Sequence, residues 1–476
     1  MSLRHLFPSP RSPGLESSEA SAWSPEVFKE YDSVWPLPSE AGILLNQYHD
    51  IYGSLFPFVV MPPHMTAAEL KQQKPFLWKA VMMTSCFFDA SRQLRLGHEL
   101  LNDVMKASFM EGVQSLDLLQ ALLLMISWFN VALKGTQLTH LLFLARSMSM
   151  SLNSPGCHTS QEAVKFGTLE HIRAYAGAYY LNTLVFTTNK KTDALMSTSQ
   201  LDTYCQVLEA AMEYSSDEYL IKLVRIQQLT QSIALTMAFD PNQPTMQLHL
   251  TMVVQSFQQQ IDRFRQSLPP HLQDNPTLLN HMGIAEVLVM DVAISDQHCN
   301  PSIMPLSDRL QLLWACVRSL RSFFNVRVGG RCFEKPRFIV LSASDLAFAI
   351  ITAMKLLMVK VPGWNPKIIV SELALYELLE SHIQELNDLV ARRRGGLLSM
   401  TEGGSPPEDP MERLCRLLKN GKELIDLQLQ KRDQAEVLGD ASQGWMMGDL
   451  DEEMWANFVS DTAWNVTGDP LLMDMN

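Results

Sequence analysis

From about residue 38 to residue 399, apolar side chains recur three and four positions apart in run after run. That spacing lines one face of an α-helix, whereas a half-buried strand needs strict alternation. Runs of this kind include "EAGILLNQYHDIYGSLF", "PFLWKAVMMTSCFFDA", "LTHLLFLARSMSM" and "DEYLIKLVRIQQLTQSIALTMAF". Farther on come "AEVLVMDVAI", "LQLLWACVRSLRSFF", "ASDLAFAIITAMKLLMVKV" and "SELALYELLESHIQELNDLVARRR". Only "RCFEKPRFIVLS" resembles a strand, and weakly. The expected class is therefore all-α, a large multi-helix bundle. Pro75 suits a first helical turn, and Ser216-Asp217 and Ser344-Asp345 suit caps. "LDLLQALLLMISWF" is apolar nearly all round, which predicts a helix in the middle of the bundle with Leu119, Leu122, Leu123 and Ile126 buried.

The flanks differ. Residues 1–37 are rich in Ser and Pro and poor in aliphatic side chains, too few to offset chain entropy, so disorder is expected there. The helical domain extends over 38–432, interrupted by a Gly/Ser/Pro linker at about 395–410, "GGLLSMTEGGSPPEDP". After it, "MERLCRLLKNGKELIDLQLQKR" reads as a short amphipathic helix. Segment 433–476 carries ten acidic residues and no Lys or Arg, which sets it apart as an acidic-aromatic tail.

The hydrophobic share of 47% supports a sizeable core in a 476-residue chain, and a net charge of −13 opposes broad contact with nucleic acid. Seven scattered cysteines with no C-x-x-C suggest reduced thiols of an intracellular protein. "MSLRHLFPSPRSPGLESS" lacks the apolar core of a signal peptide. No run reaches the roughly 18 apolar residues of a membrane span: "LLQALLLMISWF" is too short, and Lys355 cuts "LAFAIITAMKLLMVKV". No membrane partner is expected.

Chemistry-bearing motifs are missing. There is no G-x-G-x-x-G, phosphate loop, G-x-S-x-G or H-E-x-x-H. "KNGKEL" has Gly-Lys but lacks the earlier glycine and the following Ser or Thr. Cys157-His158 and His298-Cys299 are the only local Cys/His pairs, and neighbouring residues rarely ligate one ion together. In the tail, Asp449, Asp451 and Glu453 match a calcium loop at its first three ligand positions, but Met454 and Ser460 break it at the sixth and twelfth. No catalytic residue, metal or other cofactor is expected. The tail reads better as adhesive. In a helix, Leu450, Met454 and Phe458 share a stripe, with Trp455 beside it and Trp464 beyond. That stripe either docks in a partner's groove or folds back onto its own bundle. Arg392, Arg393 and Arg394 end a predicted helix, where the dipole favours cations; they are also a candidate nuclear-import patch.

Six segments in order resemble one family. They are "LLNQYHDIYGSLFPFVVMP" (44–62), "KPFLWKAVMMTSC" (74–86), "LDLLQALLLMISWFN" (116–130), "QLTHLLFLARSMSMSLN" (137–153), "EHIRAYAGAYYLNTLVFTTNKKTDAL" (170–195) and "LDTYCQVLEAAMEYSSDEYLIKLVRIQQL" (201–229). Over residues 40–430 the chain resembles the regulatory middle region of fungal zinc-cluster transcription factors. Two departures stand out. The family's six-cysteine zinc cluster is missing, since the first cysteine is Cys86 in a predicted core helix. "SMSLNSPG" replaces the family's Gly-Leu-His-Arg-like stretch. Six in-frame cysteines upstream of Met1 would restore a DNA-binding module; without them, direct DNA binding is not expected.

The resemblance implies a nuclear transcriptional regulator, with control of a secondary-metabolite gene cluster as the narrower implication. Its expected partners are the transcription machinery or a DNA-binding partner protein, with room for a small-molecule effector. The competing reading is an all-helical enzyme or ligand-binding protein with a lipophilic pocket in the bundle, which the 27 methionines and the apolar central helix also allow.

Overall fold

The computed structural model describes residues 34–152, 166–238, 250–294, 304–329, 342–394 and 409–437, together with Cys299. Among them are sixteen α-helices and no strand. The first seven are α1 Pro38–Gln47, α2 Ala67–Gln73, α3 Pro75–Ser85, α4 Ala90–Met105, α5 Leu116–Phe129, α6 Gly135–Leu152 and α7 Phe166–Thr188. Then come α8 Leu201–Ala211, α9 Ser216–Met237, α10 Leu250–Gln266, α11 Pro276–Met290, α12 Leu306–Gly329 and α13 Ser342–Met358. The chain closes with α14 Pro366–Leu373, α15 Leu375–Arg394 and α16 Pro410–Val437. Among the described residues no helix is long and apolar enough to cross a membrane.

Local chemistry sets most boundaries. Pro75 opens α3, as its spacing predicts, and the cap comes from another helix: the Asp117 carboxylate accepts from the Phe76 and Leu77 amides at 3.1 and 2.7 Å. Thr66 and Glu69 form a capping box on α2. Asp89, Ser115 and Asn275 cap α4, α5 and α11 with side-chain oxygens. The two caps expected farther along differ. α9 begins at Ser216, but the Asp217 carboxylate accepts from the Tyr214 amide and pairs with an arginine. α13 begins at Ser342, which puts Asp345 inside the helix and out of solvent. Both positions combine a helix-start pattern with a buried charge partner that the local sequence does not show.

Helix α5 is central, as expected: every residue from Leu118 to Phe129 is buried. It packs on α3, α4, α6 and α7. A second centre forms around α7 and α11. α7 touches α5, α6, α9 and α13, and α11 packs on α9, α10, α12 and α13. α16 runs along α15 as the last layer and touches the turn at Asn130–Ala132. The strand candidate at 331–342 lies outside the described residues except for Ser342, which starts α13.

Candidate functional site

Three buried polar constellations stand where helices cross. The first joins α7, α11 and α13. The Tyr180 hydroxyl and His281 Nε2 lie 2.7 Å apart. On the other side of the ring, His281 Nδ1 stands 3.2 Å from Asp345 Oδ2. That approach is close but misaligned for a hydrogen bond, so the attraction is mainly electrostatic. A proton on Nδ1 faces the carboxylate and leaves Nε2 to accept from tyrosine. Burial raises the Tyr180 pKa well above its ordinary value, which keeps the hydroxyl protonated.

Nearby charges extend this centre. Burial lowers the Arg327 guanidinium to about 10, while Glu385 and Asp345 pull the other way. It therefore stays charged near neutrality. Burial, reinforced by Arg327, lowers His382 to about 4. Its Nδ1 meets the Leu378 carbonyl at 2.9 Å. Burial raises the Glu385 carboxyl, opposed by Arg327. Tyrosine, histidine and aspartate in series resemble a proton relay. However, Tyr180 and His281 are each 3% exposed and Asp345 is 0% exposed, so the array faces the interior. Geometrically it pins three helices together.

The second constellation joins α7 to α9. Arg173 Nε and Nη2 donate to both Asp217 oxygens at 2.7 and 2.9 Å, and Glu213 adds a contact at 2.8 Å. The Tyr214 ring covers the guanidinium at 4.7 Å. This fork of donors is satisfied by protein groups.

The third constellation concerns the candidate import patch. Arg392, Arg393 and Arg394 end α15, but they do not form one solvated run. Arg393 is 1% exposed. Its Nε donates to Asp409 Oδ2 at 2.7 Å, Nη1 donates to the Phe87 carbonyl, and both terminal nitrogens lie 3.2 Å from Gln93 Oε1. The Phe87 ring lies 4.7 Å from the guanidinium. Arg392 covers the Phe88 ring at 4.2 Å, and Arg394 Nε donates to Glu412 at 2.9 Å. A patch read by a receptor offers its side chains to solvent, and here the middle one is inside the protein.

The other candidates separate cleanly. Leu450, Met454, Trp455, Phe458 and Trp464 lie outside the described residues, as do Cys157, His158 and His298. Cys299 is buried, with Sγ 3.5 Å from the Val292 carbonyl. "KNGKEL" lies within α16, in helix rather than in a phosphate-binding loop. No cluster of potential metal ligands occurs among the described residues. The three constellations escape a sequence reading because their members are far apart. His281 is 101 positions from Tyr180, and Arg393 is 300 from Gln93.

Against curated proteins, the chain is 25% identical over 268 residues to "Transcription factor himD" of Aspergillus japonicus, covering 54% of this chain and 45% of that protein. It is 21% identical over 378 residues to "Transcription factor opdL" of Penicillium oxalicum, covering 71% and 64%. A protein named "Transcription factor" from Aspergillus terreus is 21% identical over 387 residues, covering 74% and 56%. The chain is similar to fungal transcription factors. The matched parts span about half to two thirds of these relatives' own lengths. No family model matches, and no solved structure matches.

Proposed function

We propose that this chain is a nuclear regulator of transcription that acts through protein contacts, in control of a gene cluster for a fungal secondary metabolite. One observation carries the reading: similarity to proteins named transcription factors reaches 71–74% of the chain in two of the three relatives. The interior is consistent with it. The buried Tyr180, His281 and Asp345 support a scaffold that holds helices in register, because their contacts join α7, α11 and α13 inside the protein. The partners we propose are the transcription machinery or a DNA-binding protein. Contact with the transcription machinery is assigned to the acidic-aromatic segment after α16, by its composition.

The test is removal of the gene from its native fungus, followed by transcript sequencing and localisation of a tagged chain. The expected result is a nuclear tag and a change in the transcripts of a contiguous set of genes. A cytoplasmic tag with an unaltered transcript profile overturns the reading.

A further inference from the structure

Helix α16 is joined to the rest of the molecule in an unequal way. Among its described side chains, Met411, Leu414, Cys415, Leu418 and Ile425 are buried and Leu429 packs half-buried against the core. Along its length the polar ties to α15 include Arg394–Glu412, Lys422–Glu380 and Tyr376–Asp426, which lie at or near the surface, and a part-buried contact of Cys415 Sγ with Asn387 Oδ1 at 3.2 Å. Water competes for such contacts, so each adds little. At its start the situation reverses. Asp409 is 3% exposed and has two tasks: Oδ2 accepts from Arg393, and Oδ1 accepts from the Met411 amide in the first turn of α16. The same arginine donates to the Phe87 carbonyl and to Gln93, where α3 gives way to α4. One guanidinium therefore ties together the end of α15, the start of α16 and the α3–α4 corner, about 300 positions away in sequence.

We propose that the Arg393–Asp409 pair is a latch that fastens α16 to the N-terminal helices, and that α16 opens as a unit when the latch is broken. The physical reason is an asymmetry of buried pairs. Made, the pair is satisfied on every side; broken, it leaves an uncompensated charge in the interior. The cheapest relief is to hydrate that charge by lifting away the element that holds its partner. Among the described side chains of α16, Leu427 faces solvent and Glu412, Lys422 and Asp426 are half-exposed, whereas every residue of α5 from Leu118 to Phe129 is buried. Opening is thus local rather than global. The acidic-aromatic segment 433–476 shares residues 433–437 with α16 and continues beyond it in the sequence, so the latch acts on the helix to which that segment is joined. This consequence for regulation rests on the proposed function; the latch itself does not.

The test is amide hydrogen exchange read by mass spectrometry on the full chain and on two variants. Asp409→Asn keeps a side-chain oxygen to cap α16 but removes the charge. Arg393→Met removes the buried cation and leaves Asp409 free to cap. In Asp409→Asn, exchange across residues 410–437 is expected to accelerate on the order of 100-fold, with α5 and α11 within twofold of the parent protein. In Arg393→Met the acceleration is smaller and confined to the same residues. Equal acceleration in α5 and α11 makes the pair a brace of the whole bundle and overturns the proposal. So does unchanged exchange in α16. Should Asp409→Asn fail to fold, Arg393→Met alone decides by the same criterion. Because the readout is exchange and not transcription, it stands even if the regulatory reading fails.

Discussion

A methyl group at position 97 has no room. A Cβ built on Gly97 would meet the Phe129 ring at 2.2 Å, and Phe129 is itself buried at the end of α5. Ring and helix would have to move apart, at a cost of about 1–3 kcal/mol. Gly97→Ala is expected to lower the urea midpoint accordingly. Gly42→Ala serves as the contrast: nothing lies within 4 Å of its added carbon, so the better helix former should be neutral or stabilise α1 by up to roughly 1 kcal/mol. His382 makes a different prediction, about pH. Its folded value is about 4 because burial and Arg327 disfavour the cation, against roughly 6.5 in an unfolded chain. Between those values the unfolded chain binds a proton that the folded chain refuses. Stability therefore falls as pH drops from about 6.5 toward 4, by up to about 3 kcal/mol from this group. Glu385, with its carboxyl raised, acts in the opposite sense over part of this window. Comparison with His382→Gln isolates the histidine, since Glu385 is present in both proteins. Urea titrations at several pH values should show the parent losing stability relative to the variant on acidification; parallel profiles would contradict the buried, neutral ring.

Helix α5 carries the densest part of the core, and its sequence announced as much. A run apolar on all sides fits only where every side of a helix is covered, and Leu119, Leu122, Leu123 and Ile126 are all buried. Leu122→Ala and Leu123→Ala should each cost about 2–5 kcal/mol in denaturant unfolding, whereas Leu427→Ala on the exposed side of α16 should stay within about 0.5 kcal/mol. Even the polar exception in α5 is accounted for. Gln120 stays buried because its amide lies 3.0 Å from Glu170 and 3.2 Å from Lys74, on α7 and just ahead of α3. That a helix forms here follows from local spacing, and so does Pro75 at the start of α3. Which helices meet does not follow from local spacing. Asp217 and Asp345 carry the same local signal as ordinary caps, yet each faces a charged or ring partner on another helix. Arg393 sits in a run of three arginines that reads as solvated, yet its partners include Phe87 and Gln93. A local pattern reports whether a side chain can sit at a helix end; it carries no information about a partner hundreds of positions away. For that reason the helical class was legible, while the buried constellations were not.

Arg173–Asp217 and His281–Asp345 each tie together two different helices, and Arg393, paired with the nearby Asp409, also reaches Gln93, 300 positions away. Apolar helix faces accept many packings of similar energy, and a buried charge accepts only the one that supplies its partner. The described helices are thereby held in one arrangement, and the acidic-aromatic segment follows them in the sequence. If that segment contacts a partner, its own chemistry sets the terms. Leu450, Met454 and Phe458 fall on one face when the segment turns helical, with Trp455 beside them. Each large side chain buried in a groove contributes about 1.5–3 kcal/mol, against an ordering cost of about 1–2 kcal/mol for every residue fixed. The balance favours a modest affinity dominated by the aromatics, with the carboxylates keeping the face soluble beforehand. Residues 440–476 joined to an unrelated DNA-binding domain should then activate a reporter gene. Trp455→Ala with Phe458→Ala should abolish that activity, and Glu452→Gln with Glu453→Gln should weaken it less. An inert fusion would point instead to a segment that closes back on its own bundle. Loss only on changing the carboxylates, restored by a divalent cation, would make the acidic residues ligands rather than solubilising flanks.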